Sequence, residues 1–240
     1  MFYIIPIILA TWNTGIWAGI FLSFLSAVIM LFADKTAQHF FSNEIIPYLN
    51  NLFRLIIFLI ITYIISELRS ALHKQKNLAR IDSLTSIANS RAFYEIASME
   101  FNKAKRHGFP ISVIYMDLDN FKAINDNYGH STGDLLLKLA ANTIIKNIRT
   151  IDIAARLGGD EFAILLTQTG AEPAYIVAVK LNEMIYNIMK KNKWPVTTSI
   201  GIVTFLKAPE SVDEMIKKAD ILMYAAKYDG KNNIKQTVVS

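Results

Sequence analysis

The sequence predicts an α/β fold, a ferredoxin-like sandwich around a central antiparallel sheet, preceded by transmembrane helices. Three observations lead there. From Met1 to Ala33 no side chain is charged. Beyond the apolar section, helical and strand-like hydrophobic periods alternate, the pattern of sheet and helices packed in layers. Finally, Arg156-Leu157-Gly158-Gly159-Asp160-Glu161-Phe162 joins two short apolar runs through paired glycines, which reads as an antiparallel hairpin.

The N-terminal section comes first. Ile16 to Phe32 is a nearly continuous apolar run, long enough to cross a thin bilayer core. A second runs from Ile45 to Ser66, interrupted by Pro47, Asn50, Asn51 and Arg54. Neither shows the polar face of a soluble surface helix. A basic segment ahead of the first run is missing, which argues against a cleaved signal peptide. Phe2 to Ala10 is too short to span alone, and Trp12-Asn13-Thr14-Gly15 reads as an interfacial pause.

Charge sets the expected orientation. Lys35 and Arg54 offset Asp34 and Glu44, while Arg69, Lys74, Lys76 and Arg80 follow the second span directly. Basic residues flank the cytoplasmic side, so everything after that span is expected in the cytoplasm. The chain thus reads as a multi-pass protein with the lipid bilayer as a partner. The 34–44 connection is too short for a folded sensor domain. A net charge of +5 could suggest nucleic acid, but no basic helix or aromatic stacking motif accompanies it, so nucleic acid is not expected. The absence of cysteine is compatible with the cytoplasm and excludes a disulfide framework.

These features divide the chain into a membrane section of about two spans (residues 1–66), a helical stalk (67–80) and a soluble domain (81–240). Phe58, Ile61, Ile65, Leu68, Leu72, Gln75 and Ala79 recur at alternating spacings of three and four. That is the seam of a parallel coiled coil. A helix packed on its own domain is the competing interpretation.

In the soluble domain, Leu84 to Arg106 reads as a helix stopped by Gly108-Phe109-Pro110. Ile111 to Met116 is a strand and Asp134 to Arg149 an amphipathic helix. Ile153–Leu157 and Phe162–Leu166 are the hairpin strands. Pro173 to Lys191 is a helix, Val196 to Phe205 a strand, and Val212 to Tyr228 a helix.

The chemistry gathers at turns. Asp117 ends the Ile111 strand, where it can face Asp160 or Glu161 on the hairpin turn. Such an oxygen-rich cluster suits Mg²⁺. Taken alone, an aspartate after a strand is a common turn starter. It is the accompanying segment, Asn125-Asp126-Asn127-Tyr128-Gly129-His130-Ser131-Thr132-Gly133-Asp134, that makes the pattern specific.

Together these segments resemble the GGDEF domain of diguanylate cyclases, bacterial enzymes that condense two GTP into cyclic di-GMP. The likeness covers about Asp82 to Ser240. It includes Asp82-Ser83-Leu84-Thr85, Asp117 to Asp134, Gly158 to Phe162, Thr198-Ser199-Ile200-Gly201, and Ala219-Asp220 with Tyr224, Ala226 and Lys227. The resemblance implies that Asp117, the Leu118 carbonyl and Asp160 hold Mg²⁺, with Mn²⁺ as a substitute. Glu161 would either complete that shell or assist deprotonation of the attacking 3′-hydroxyl. Asn125 and Asp134 would read guanine, whose N1–H and exocyclic amine suit a carboxylate. Asn120, Phe121 and Lys122 would meet the β- and γ-phosphates through backbone amides and an ammonium, with Lys227 and Lys231 gripping from the last helix and the loop after it. Since one domain holds one GTP, the resemblance also implies a homodimer, housed in a bacterial cytoplasmic membrane.

Arg149-Thr150-Ile151-Asp152 has the RxxD pattern at the spacing that marks the family's inhibitory product site. Arginine pairs bidentately with phosphate, and the aspartate accepts from a base edge. An ion pair at a helix end is the plainer interpretation. Four positions depart from the family: Ser86 for glycine, Ser90 for arginine, Leu157 for tyrosine and Lys231 for arginine. None removes an expected metal ligand or guanine reader. The alternative function is a catalytically silent receptor for cyclic di-GMP or GTP. A cyclase acting on one nucleotide is disfavoured by Asn125, Asp134 and the full hairpin motif.

Overall fold

The structure is a computed structural model that describes residues 3–36, 45–207 and 211–240. Most of the expected 34–44 connection therefore lies outside the described residues. The chain forms two compact units, Met1–Ala79 and Arg80–Ser240.

The first unit holds α1 (Ile4–Thr14), α2 (Ile16–Thr36) and α3 (Ile46–Leu78). Its packing is inverted relative to a soluble bundle. Ile7, Thr11, Gly19, Ser23, Ser26, Ala27, Phe58 and Thr62 are buried, and Ser23 Oγ lies 3.2 Å from Thr62 Oγ1. Small residues let the helices approach closely, and their hydroxyls bond within the bundle. Large apolar side chains point outward instead, with Trp17 81% and Phe21 66% exposed. Windows of α2 and α3 are long and apolar enough to cross a bilayer, at Ile16–Thr36 and Ile46–Leu72. Arg54 Nη1 meets Asp34 Oδ2 at 2.6 Å, so the interrupting charge within α3 has a partner.

The second unit is a six-stranded sheet in the order β1-β3-β4-β2-β5-β6. Its strands are β1 (Ala88–Asn89), β2 (Ile111–Asp119), β3 (Ile153–Gly158), β4 (Glu161–Leu166), β5 (Thr197–Phe205) and β6 (Ile234–Val239). The four central strands are antiparallel, and β1 and β6 close the edges in parallel pairings. β2 is buried along its whole length, as a middle strand covered on both faces must be. Alternation along β2 sorts the two cores. Ile114, Met116 and Leu118 face α6 (His130–Asn147) and α7 (Ala171–Lys191). Ile111, Val113 and Tyr115 face α4 (Ser90–His107) and α8 (Val212–Tyr228).

Three departures from the sequence expectation have physical causes. The helix expected from Leu84 starts at Ser90, because Asp82 closes a turn by accepting Thr85 N–H at 2.9 Å. Asn89 then caps α4 by accepting Ala92 N–H at 3.0 Å. The helix expected from Asp134 begins at His130, preceded by a separate short helix, α5 (Phe121–Tyr128). Gly129, at φ +82°, makes the corner between them. β6 has a weak alternation, and its parallel pairing with β5 completes it as a strand.

Candidate active site

Strand register assembles the site at one end of the sheet. Asp117 on β2 pairs with Glu161 on β4 and with Ser199 on β5. Cross-strand partners share a face, so both carboxylates project together. Gly159, at φ +48°, makes the hairpin turn after a bulge between Arg156 and Gly158. Gly158 needs no positive φ. Leu118 N–H donates to the Asp160 carbonyl at 3.2 Å, which docks the turn on the end of β2. Asp117, Asp160, Glu161 and the Leu118 carbonyl therefore sit around one strand end.

Asp117 is buried, and Lys227 Nζ lies 2.7 Å from its Oδ2. Burial pushes the Asp117 carboxyl up to about 6, the bond to Lys227 works against this, and the negative charges of Asp160 and Asp119 add to the rise. Burial would lower the Lys227 ammonium, but its bond to Asp117 and the charges of Asp160 and Asp119 hold it above the usual lysine value. Among the described residues no three acidic or histidine side chains converge closely enough to cage an ion. Mg²⁺ does not need a cage, since it takes one or two carboxylates and completes its shell with water and substrate phosphate. A buried carboxylate already bonded to a cation, with a second beside it, fits that ion.

The residues expected to meet the phosphates lie at the β2–α5 junction and in the chain after α8. Asn120 adopts a left-handed conformation, φ +64°, and opens α5. Its Oδ1 accepts from Lys231 Nζ at 2.8 Å, while its Nδ2 donates to the Pro195 carbonyl at 3.3 Å. Phe121 and Lys122 form the first turn of α5, with Lys122 exposed. Asn125 is half-buried in the angle between α5 and α6, and Asp134 is exposed on α6.

Arg149 and Asp152 stand apart, between the end of α6 and the start of β3, at the end of the β3–β4 hairpin opposite its Gly159 turn. They line a cavity of about 280 Å³ with Lys146, Asn147, Thr169, Val177 and Lys180. Asp152 accepts the backbone N–H of Arg149 at 3.0 Å and of Thr167 at 3.2 Å. In place of the ion pair of the plainer interpretation stands a backbone tie, and Arg149 is exposed beside two lysines.

Sequence reasoning passed over four contributors. Asp119 is buried and accepts from Thr197 Oγ1 at 2.7 Å, Ser199 Oγ at 2.8 Å and Asn232 N–H at 3.2 Å. It thereby fixes the loop that carries Lys231. Tyr115, two residues before Asp117, hydrogen-bonds Glu161; burial and the charges of Glu161 and Asp220 hold its phenol well above the ordinary range. Lys146 and Lys180 complete the cavity beside Arg149 and Asp152. Only the polar character of Asp119 within a buried strand was a usable sequence signal.

Comparison with known proteins agrees with this fold. Residues 79–233 match the family described as "Diguanylate cyclase, GGDEF domain". "Probable diguanylate cyclase DgcT" of Escherichia coli (strain K12) is 31% identical over 229 residues, 93% of this chain and 49% of its own length. "Cyclic di-GMP phosphodiesterase NbdA" of Pseudomonas aeruginosa is 32% identical over 179 residues, 71% of this chain but 22% of its own length. The chain therefore spans about half or less of these relatives. Among solved structures, the coiled coil and GGDEF domain of DgcB from Caulobacter crescentus, in complex with c-di-GMP, superposes with a TM-score of 0.59 and 29% identity. It covers 73% of this chain and 95% of that one. With the family model matching residues 79–233 and the fold shared with solved GGDEF domains, this chain belongs to the GGDEF-domain diguanylate cyclase family.

Proposed function

We propose that this chain is a membrane-held diguanylate cyclase that works as a dimer and is restrained by its product. The observation that carries this reading is the convergence of Asp117 with Asp160 and Glu161 at one strand end, beside Lys227.

Asn125 and Asp134 bind the guanine of GTP. Lys122, Lys227 and Lys231, with the Asn120–Phe121 backbone, hold the phosphates. Asp117, Asp160, Glu161 and the Leu118 carbonyl would hold Mg²⁺ or Mn²⁺, which would supply charge neutralisation at the phosphates and a lowered pKa for the attacking hydroxyl. The 3′-oxygen of one GTP bonds to the α-phosphorus of the other as the bond to the bridging β-phosphate oxygen breaks. Pyrophosphate leaves, and the hydroxyl proton passes to Glu161 or to solvent. Repetition from the second nucleotide closes the ring. Each GTP sits on its own domain, so two domains must face each other. The stalk at residues 67–80 would bring them together through its coiled-coil seam.

The exposed apolar exterior of the first unit and its buried hydroxyls favour lipid as its solvent. We place it in the bacterial cytoplasmic membrane, with residues 81–240 as the catalytic domain on the cytoplasmic side. The cavity at Arg149 and Asp152, flanked by Lys146 and Lys180, favours binding of a phosphate-bearing product.

The test is turnover of the full chain in lipid nanodiscs with GTP and Mg²⁺, and Glu161→Gln as control. Pyrophosphate and cyclic di-GMP are expected from the wild type. A demonstrably dimeric preparation that releases neither, yet binds cyclic di-GMP, would establish the silent receptor instead.

A further inference from the structure

Gly133 occupies the fourth position of α6 and is buried. Glycine inside a helix is disfavoured relative to alanine, so its presence there asks for a reason beyond helix formation. Its backbone is helical and needs no positive φ. The reason lies across the α5–α6 angle. A Cβ added at Gly133 would overlap Asn125 Oδ1, approach Asn125 Cγ to 3.0 Å and reach Phe121 Cε2 at 3.3 Å. The Asn125 amide thus rests directly on the bare backbone of α6, one residue before Asp134.

We propose that Gly133 is a specificity-determining positioning residue, seating the Asn125 amide beside Asp134 so that both reach one guanine edge. This rests on the assignment of Asn125 and Asp134 as guanine readers. Hydrogen bonding falls off steeply with distance and angle, so a methyl-sized displacement of the amide is enough to spoil it. The obstructed atoms are the ends of side chains, not backbone, so Gly133→Ala leaves the helices in place and moves the amide. The consequence is selective. Phosphate and metal contacts survive, while discrimination between bases is lost because polar groups no longer meet their partners.

The experiment measures binding of 3′-deoxy-GTP and 3′-deoxy-ATP, which lack the attacking hydroxyl, to the full chain in nanodiscs with Mg²⁺. Gly133→Ala is expected to weaken the guanine nucleotide about tenfold or more and the adenine nucleotide little. Asn125→Ala should do the same. The double variant Asn125→Ala/Gly133→Ala should bind no worse than Asn125→Ala alone, because removing the amide also removes the overlap. The double variant also serves if Gly133→Ala alone misfolds. Guanine binding by Gly133→Ala within twofold of wild type, or a double variant clearly weaker than Asn125→Ala, would overturn the proposal. If Asn125→Ala and Asp134→Ala both leave guanine binding unchanged, the assignment of the readers fails, and the role of Gly133 falls with it.

Discussion

Lys227 Nζ sits 2.7 Å from Asp117 Oδ2, so a lysine expected at the phosphates is bonded to an aspartate expected at the metal. One ammonium therefore stands between the two charge systems that the reaction must bring together. Binding of Mg²⁺ and GTP would give Asp117 a divalent partner and release Lys227 to the phosphates. Lys227→Met is expected to strengthen Mn²⁺ binding without nucleotide while weakening GTP binding about tenfold or more. Mn²⁺ electron paramagnetic resonance and nucleotide titration check the two directions separately.

The same pair sets a pH dependence. An acid whose folded pKa is raised, here to about 6 from 3.8, stabilises the fold in its protonated form. That contribution is complete below pH 3.8 and is lost as pH rises through about 6. Asp117→Asn removes the ionisation, so its melting temperature should exceed that of the wild type above pH 6. The two should converge on acidification, and the gap at pH 7 should be at most about 3 kcal/mol. Thermal denaturation between pH 4.5 and 8 without metal measures it. Added Mg²⁺ should narrow the gap by binding the ionised wild-type carboxylate.

Arg156 ties the turn to the start of the second unit. Its Nε and Nη2 donate to the Gly159 carbonyl at 2.9 and 2.7 Å, and its Nη1 meets Asp82 Oδ1 at 3.2 Å. Burial would raise the Asp82 carboxyl, but Thr85 and Arg156 hold it below its usual value. Its contribution to stability is therefore present above pH 3.8 and lost as pH falls through the lowered pKa. Arg156→Lys loses the forked geometry. It should slow turnover more than it lowers the melting temperature, measured by initial rates and calorimetry on the same preparation.

Asp119 is the most heavily bonded carboxylate of the site. Asp119→Asn replaces an acceptor-only group with one that also donates, so a donor from Thr197, Ser199 or Asn232 loses its partner. A stability loss of about 1–3 kcal/mol is expected. The KM for GTP should rise more than kcat falls, because the Lys231 loop loosens while Asp117 and Asp160 stay. Chemical denaturation and steady-state kinetics separate the two effects.

At the cavity lined by Lys146 and Lys180, Arg149 and Asp152 should respond differently. Arg149→Ala and Lys180→Ala are each expected to weaken inhibition by cyclic di-GMP about tenfold, with the uninhibited rate unchanged. Asp152→Ala should weaken inhibition and also lower the melting temperature, since its carboxylate holds the N–H groups of Arg149 and Thr167. Product titration of initial rates, paired with thermal unfolding, distinguishes them.

Residues whose role follows from local chemistry are legible in the order of the chain. The strand read at Ile111–Met116, the glycine hairpin and the apolar spans all persist in the fold. Less legible is whatever depends on a distant partner. β6 is a strand because β5 pairs with it. The Asp82–Thr85 segment is a turn, not a helix start, because Asp82 Oδ1 accepts both Thr85 N–H and Arg156 Nη1. Asp119 reads as one carboxylate in an acidic string, and only the closure of Thr197, Ser199 and Asn232 around it gives it a role.

Periodicity, charge distribution and the glycine–carboxylate hairpin were enough to determine an apolar section and a mixed α/β domain, while the family came from the resemblance of its motifs to the GGDEF domain. The first two depend on hydrophobic pattern and backbone freedom, which a chain carries in its own order of residues. Tertiary structure alone decided which charge meets which. Lys227 is separated from Asp117 by more than a hundred residues and Gly133 from Asn125 by a helix corner, yet both pairs are in contact. Side-chain contacts of this kind are set by strand register and helix packing, which sum over the whole core and leave no local mark.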